Sequence, residues 1–226
     1  MSSIIFMAMQ QKTPAAAAAK ASKATTKIRL IRAAERLFAE NGLGAVSVRD
    51  ITRAAGAKNE SALHYHFGSK EALIRAVFAD RIKDIDSKRL ALMEEMDAAG
   101  EGKDMVRVME TTIAPMLETC MEEGGRLYAM FLMQIAADPR FEVDRLMEDL
   151  APDGVQASSR RMLNLLEDVP RDSVRMRMRL LPSFIIAAMA DFAREVEAGT
   201  APDLDWAIAE AGRSLAAYLT GPTPKG

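Results

Sequence analysis

The sequence predicts an all-α protein in which a small three-helix unit near the N-terminus precedes a larger helical domain. Three observations lead there. Hydrophobic residues make up 49% of the 226 residues, yet aromatics are only 5% against 16 methionines, so the apolar content lies in Leu, Ile, Ala and Met, which favour helix over sheet. Apolar residues recur at three- and four-residue intervals along most of the chain. No stretch shows the strict alternation of a half-buried strand.

Residues 1–24 read as a disordered arm, because Gln10, Gln11, Pro14 and the alanine run after it give low complexity without periodicity. A first helix is expected over Thr26–Asn41, with Ile28, Ile31, Ala34, Leu37 and Phe38 on one face and Gly42 as its stop. Ser47 and Asp50 have the spacing of a capping box and open a second helix that Gly56 ends. Asn59 is placed to cap a third helix running to Phe67, and Ser69 a fourth running to about Met96. These elements define a unit over residues 25–70 and a second domain over 71–226. In the second domain Gly and Pro separate helices expected over Asp104–Glu123, Arg126–Ala137, Phe141–Leu150, Val155–Asp168, Asp172–Ala198 and Asp203–Thr220.

Charge is divided unevenly between the two units. Residues 1–90 carry 16 Lys+Arg against 8 Asp+Glu, a balance of +8, while residues 91–226 carry 14 against 24, a balance of −10. A basic segment joined to an acidic one points to nucleic-acid binding at the N-terminal end. Cys120 is the single cysteine, which excludes an intramolecular disulfide and fits a reducing compartment. The apolar patch from Ile4 to Met9 is too short for a signal-peptide core, and the run from Leu180 to Ala190 contains Pro182 and is too short to span a bilayer. A cytoplasmic protein without membrane contact is expected. The two histidines fall within one short segment, and no nucleophile–base pair, metal-ligand spacing or phosphate loop is present, so neither an enzyme nor a cofactor is expected.

Two short helices joined by a Gly-containing turn and braced by a preceding helix describe a helix-turn-helix. Its second helix must be short, rigidly held and polar outside in order to lie in the major groove of duplex DNA, which is about 12 Å wide. Lys58, Asn59, Glu60, Ser61 and His64 supply that polar set, and Tyr65 and His66 put donors near the backbone phosphates. Lys70, in the first turn of the next helix, is unfavourable to the helix dipole unless an anion lies close by.

Three segments of this region fall in register with a known family: IRAAERLFAENG from Ile31, SVRDITRAAG from Ser47 and YHFGSKEAL from Tyr65. Over about 50 residues they resemble the DNA-binding domain of TetR-family (TetR/AcrR) transcription regulators. The resemblance implies that Ser47 and Lys70 touch phosphate, that residues Lys58 to Ser61 read bases, and that His64, Tyr65 and His66 contact the DNA backbone. The chain has one residue more between Gly56 and Phe67 than the common pattern, which leaves the register of the reading residues open by one position.

The second domain offers a candidate sensing site. None of the methionines lies between Gln11 and Leu92, whereas 13 lie between Met93 and Met189. Met is flexible and polarisable and suits adaptable binding surfaces, and it is equally ordinary core filler. Met105, Met109, Met116, Met130, Met133 and Met162, with Tyr128, Phe131 and Phe184, are the candidate lining of an apolar cavity, and Arg126, Tyr128 and Gln134 the candidate polar anchors for a mainly hydrophobic effector. In the last two helices Val174, Met178, Leu181, Ile185, Ala188 and Phe192, and Leu204, Ile208, Ala211, Leu215 and Tyr218, form stripes with further apolar residues beside them. A helix apolar on more than one face must bury more than one face, so a homodimer through these helices is expected, as the resemblance also implies. The functional expectation is a regulator released from a palindromic operator by a small molecule. The competing readings are a constitutive DNA-binding dimer and a helical carrier or interaction protein.

Overall fold

A computed structural model describes residues 14–57, 59–141, 146, 149–150 and 152–223, with backbone alone over 14–23. Among these residues there is no strand, and the named helices are α1 (Pro14–Asn41), α2 (Val48–Ala54), α3 (Ser61–Phe67), α4 (Lys70–Ala98), α5 (Met105–Met121), α6 (Gly125–Ala137), α7 (Asp153–Leu165), α8 (Arg171–Ala198) and α9 (Leu204–Thr220). Of the helix expected over Phe141–Leu150, Leu146, Asp149 and Leu150 are helical, and most of the rest lies outside the described residues.

The expected arm over 1–24 needs correction where it is described. Helix α1 begins at Pro14, well before the anticipated Thr26. Periodicity is absent there because nothing is patterned for burial, but Ala is the strongest helix former and extends a helix already nucleated by packing downstream. Residues 1–13 lie outside the described set. Ile28, assigned to the buried face, is 55% exposed, while Leu30, Ala34 and Phe38 are fully buried at a spacing of four.

Helices α1 to α3 enclose a small core in which Leu30, Phe38, Ile51 and Leu63 are fully buried. The chain leaves α1 through Gly42, whose φ of 82° suits glycine and whose N–H donates to Phe38 O at 2.9 Å. The capping box on α2 is present: the Ser47 hydroxyl accepts from Asp50 N–H and the Asp50 carboxylate accepts from Ser47 N–H, both at 3.1 Å.

Helix α4 belongs to both domains. Its first turns bury Leu73, Ile74 and Val77 in the N-terminal core, and further along Ile82, Ile85 and Met93 join the core of the second domain. A buried carboxylate fastens it to α1: Glu35 accepts from Arg81 Nε at 3.3 Å and Arg32 Nη1 at 3.2 Å, and Arg32 also meets Asp80. Helix α6 packs on α1 as well, with the Phe38 and Phe131 rings stacked at 6.2 Å. Helix α5 occupies the middle of the second domain, against α4, α7, α8 and α9. The backbone of Glu110 comes so close to Gly212 of α9 that a Cβ there would lie 3.2 Å from Glu110 N.

A second buried ion pair ties α7 to α4. Asp86 accepts from Arg89 Nη1 at 3.0 Å and from the first backbone N–H groups of α7, Gly154 and Val155, both at 2.9 Å. Gly154 is required by this approach, since a Cβ there would stand 2.8 Å from the Asp86 carboxylate.

Candidate functional site

The α2–turn–α3 unit presents one face outward. Leu63 is fully buried and anchors α3, whereas Asn59, Glu60, Ser61, His64 and Tyr65 are exposed, Tyr65 to 66%. Ser61, His64 and Tyr65 stand at i, i+3 and i+4, one side of a short helix. His66 and Phe67 are half-buried and turn back toward the domain, with Lys27 Nζ 5.9 Å above the Phe67 ring. Lys58 lies outside the described residues. Asn59 does not cap α3 as expected. Its side-chain oxygen accepts from the Ser61 hydroxyl, and Glu60 holds the cap position without a side-chain hydrogen bond. His64 Nδ1 lies 3.0 Å from Gly68 O, which fixes the ring at the end of α3.

Ser47 is exposed at the start of α2, and the exposed arginines Arg49 and Arg53 follow on the same helix, one turn apart. Neither is among the residues expected at the interface, although their i,i+4 spacing is a legible signal of a shared exposed face. Lys70 is half-buried, and its ammonium donates to Leu43 O at 2.6 Å and lies 5.7 Å from the Phe38 ring. Partial burial lowers its pKa from the ordinary lysine value. It therefore ties the start of α4 to the turn between α1 and α2.

Within the second domain the helices leave a cavity of about 840 Å³ among α4, α5, α6, α7 and α8. Phe78, Ile82, Leu132 and Ile186 supply much of its apolar wall. Of the eleven residues proposed from the sequence, Met116, Tyr128 and Met162 line it. Tyr128 is fully buried and its hydroxyl donates to Phe78 O at 3.3 Å; burial drives its pKa upward. The other eight lie elsewhere. Met105 and Met109 are buried in the core nearer the start of α5 and do not reach the wall, Met130 is half-buried, and Met133 is 37% exposed. Phe131 faces Phe38, and Phe184 is 42% exposed, edge-on to Tyr218 at 4.7 Å. Arg126 pairs with Glu197 at 2.5 Å, and the Gln134 carboxamide lies against Gly42. Methionine enrichment marks the domain, but a central helix such as α5 buries its whole circumference, so composition does not select the side that meets the cavity. The wall also holds Arg89, Arg160, Arg175 and Arg179, which the sequence reading did not assign.

Cys120 is buried, and loss of solvation pushes its thiol up to about 12. At pH 8.5 iodoacetamide should label it at least about a hundredfold more slowly in the folded protein than in urea, because only the thiolate attacks. Equal labelling rates would show the site to be open.

Among the described residues no cluster of His, Cys, Asp and Glu is fit to hold a metal ion, and no helix is long and apolar enough to cross a membrane. Comparison with known families gives two matches that together take up more than two thirds of the chain. Residues 30–77 match the model described as bacterial regulatory proteins, tetR family, and residues 110–221 match the tetracyclin repressor-like C-terminal domain. The chain belongs to the TetR family. As such it is a DNA-binding transcription regulator, with α2 and α3 inside the matched DNA-binding segment.

Among curated proteins, the HTH-type transcriptional repressor KstR2 of Rhodococcus jostii (strain RHA1) is 38% identical over 76 residues, which are 34% of this chain and 37% of that protein. The chain thus matches little more than a third of that relative's length. Three solved structures resemble this TetR-family chain at low identity. RolR in complex with resorcinol gives a TM-score of 0.48 at 18% identity, covering 91% of this chain and 98% of that one. A TerR/AcrR-family regulator from Aquifex aeolicus VF5 gives 0.46 at 22%, covering 84% and 97%. A TetR regulator from Rhodococcus sp. RHA1 gives 0.46 at 17%, covering 89% and 100%.

Proposed function

We propose that this TetR-family chain is a cytoplasmic, dimeric repressor that reads a palindromic operator through α3 and is released by a small molecule held in the cavity of the second domain. The observation that carries the reading is the path of α4. It follows α3 after only Gly68 and Ser69, and it contributes Phe78, Ile82 and Arg89 to the cavity wall. A ligand that binds one tilt of α4 better than another changes the separation of the two reading helices of a dimer; without such differential affinity it shifts nothing. Helix α6 offers a parallel link, with Phe131 against α1 while Tyr128 and Leu132 line the cavity. A hundredfold loss of operator affinity needs about 2.7 kcal/mol of coupling, within the ordinary allosteric range.

The test is selection of bound genomic fragments followed by mobility shifts with and without effector. A palindrome with half-sites about 34–36 Å apart, or a multiple, is the expected product. Release by a metabolite supports the full reading. Binding that no metabolite relieves leaves a constitutive regulator, and failure to enrich any sequence favours the carrier reading.

Roles at the interface follow from the exposed face of α3. Ser61, Asn59 and the segment at Lys58 read bases, while Ser47, His64, Tyr65 and Lys70 position the phosphates; half-buried His66, against the Tyr65 and Phe67 rings, belongs to the packing of α3. Lys70→Met keeps the packed stem and removes the charge. It should weaken binding to all sequences alike and flatten the salt dependence by about one counterion. An unchanged salt slope with a lowered melting temperature would assign Lys70 to the Leu43 carbonyl alone.

A further inference from the structure

The cavity wall has the opposite charge sign to the domain that builds it. Residues 71–226 carry 28 Asp+Glu against 19 Lys+Arg. Among the described residues, those lining the cavity nevertheless include four arginines, Arg89, Arg160, Arg175 and Arg179, and no Asp, Glu or Lys. A wall drawn without preference from so acidic a domain would be expected to hold carboxylates.

The four arginines are not equivalent. Arg89 is 4% exposed, and Asp86 behind it balances its charge. One Arg89 amino group reaches Thr112 O at 3.4 Å, and Nε has no hydrogen-bond partner, a buried donor without an acceptor. Arg175 pairs with Asp172 at 2.9 Å, but both side chains are more than four-fifths exposed, so the pairing is weak. Arg160 and Arg179 are exposed, and no ion pair to either is formed among the described residues. The wall therefore combines an apolar interior with uncompensated positive charge on α7 and α8.

We propose that the cavity takes an organic anion with an extended apolar body, its charged head held by Arg160 and Arg179 and its body packed against the interior. The inference rests on the cavity being the effector site and names the chemical class of the effector. It also revises the expectation of a mainly hydrophobic effector. A neutral apolar molecule would fill the interior but gain nothing from the arginines. An anion gains a field that the acidic remainder of the domain does not provide, and two arginines can hold a carboxylate or a phosphate through several N–H donors.

The probes are four ten-carbon compounds, decanoate, decyl phosphate, decanol and decylamine, titrated calorimetrically into the full chain at low salt and kept below their micellar concentrations. Decanoate or decyl phosphate should bind at least tenfold more tightly than decanol, and decylamine should bind least. The order of the two anions distinguishes a carboxylate head from a phosphate head. In Arg160→Ala/Arg179→Ala the anion advantage should disappear while decanol binding stays within twofold. Both side chains are exposed, so the melting temperature serves as a control for folding. High salt should likewise reduce the anion advantage. If decanol or decylamine binds as well as the anions, the charge assignment is overturned and the effector cavity stands. If none of the four binds, the proposal and the cavity reading fall together.

Discussion

Asp86→Ala should cost about 3–5 kcal/mol of folding stability, the largest effect of any single side-chain truncation in the second domain. The carboxylate is 6% exposed and accepts from Arg89 Nη1 and from the backbone N–H groups of Gly154 and Val155. Its removal leaves a guanidinium that is itself 4% exposed without a counter-ion, and two amides at the start of α7 without an acceptor. An unpaired buried charge is far costlier than a missing pair, because desolvation of the survivor is no longer offset. Urea denaturation at fixed protomer concentration measures the loss, since a dimer's stability depends on concentration. The double variant Asp86→Leu/Arg89→Met is the informative control. Replacing both ions by apolar groups of similar volume should recover most of the stability while removing Arg89 from the cavity wall. A loss below about 1 kcal/mol in Asp86→Ala would mean that water reaches the pair.

How far the sequence led differs by region for physical reasons. The α1–α4 segment was legible because its signals are local: the Ser47–Asp50 capping box, the Gly42 stop and the buried spacing of Leu30, Ala34 and Phe38 each act within a few residues. The start of α1 was missed because helix propensity in an alanine run leaves no amphipathic pattern to detect. The cavity was legible only in part, because its wall gathers side chains from five helices, and the side of each that turns inward depends on tertiary packing. Met116 and Met109 lie seven residues apart on α5, nearly the same angular position, yet only Met116 reaches the wall. The arginines on α8 had a readable four-residue spacing at Arg175 and Arg179, but the same spacing is expected of any solvated face. The apolar stripes of α8 and α9 were real, but they face their own subunit: Leu181, Phe192 and Leu215 are buried without a partner, and Met178 and Ile185 line the cavity.

That packing decides which residue can test dimerisation. Ile208 is half-buried against the core, so a charge there would damage the subunit as well as any interface. The face left over on α8 carries Met176, Phe184 and Ala187, spaced eight and three residues apart; Met176 is 58% and Phe184 42% exposed. Helix α9 adds Trp206, 56% exposed. Large apolar side chains left exposed on these two helices mark an association surface more than a solvated one. Phe184→Glu should therefore yield a folded monomer at micromolar concentration. A two-fold interface contains each residue twice, so one substitution places two carboxylates in the apolar contact, each costing several kcal/mol unless it reaches water or is protonated. Light scattering reads the mass, and circular dichroism checks that the subunit stays folded, since Phe184 touches Tyr218 and is not part of the buried core. Operator binding should fall with the dimer, by about 10²–10⁴-fold, because a lone reading head loses the effective concentration that its partner supplies. A stable dimer from Phe184→Glu would place the interface elsewhere. A monomer that still bound the full palindrome at the original affinity would separate DNA recognition from dimerisation altogether.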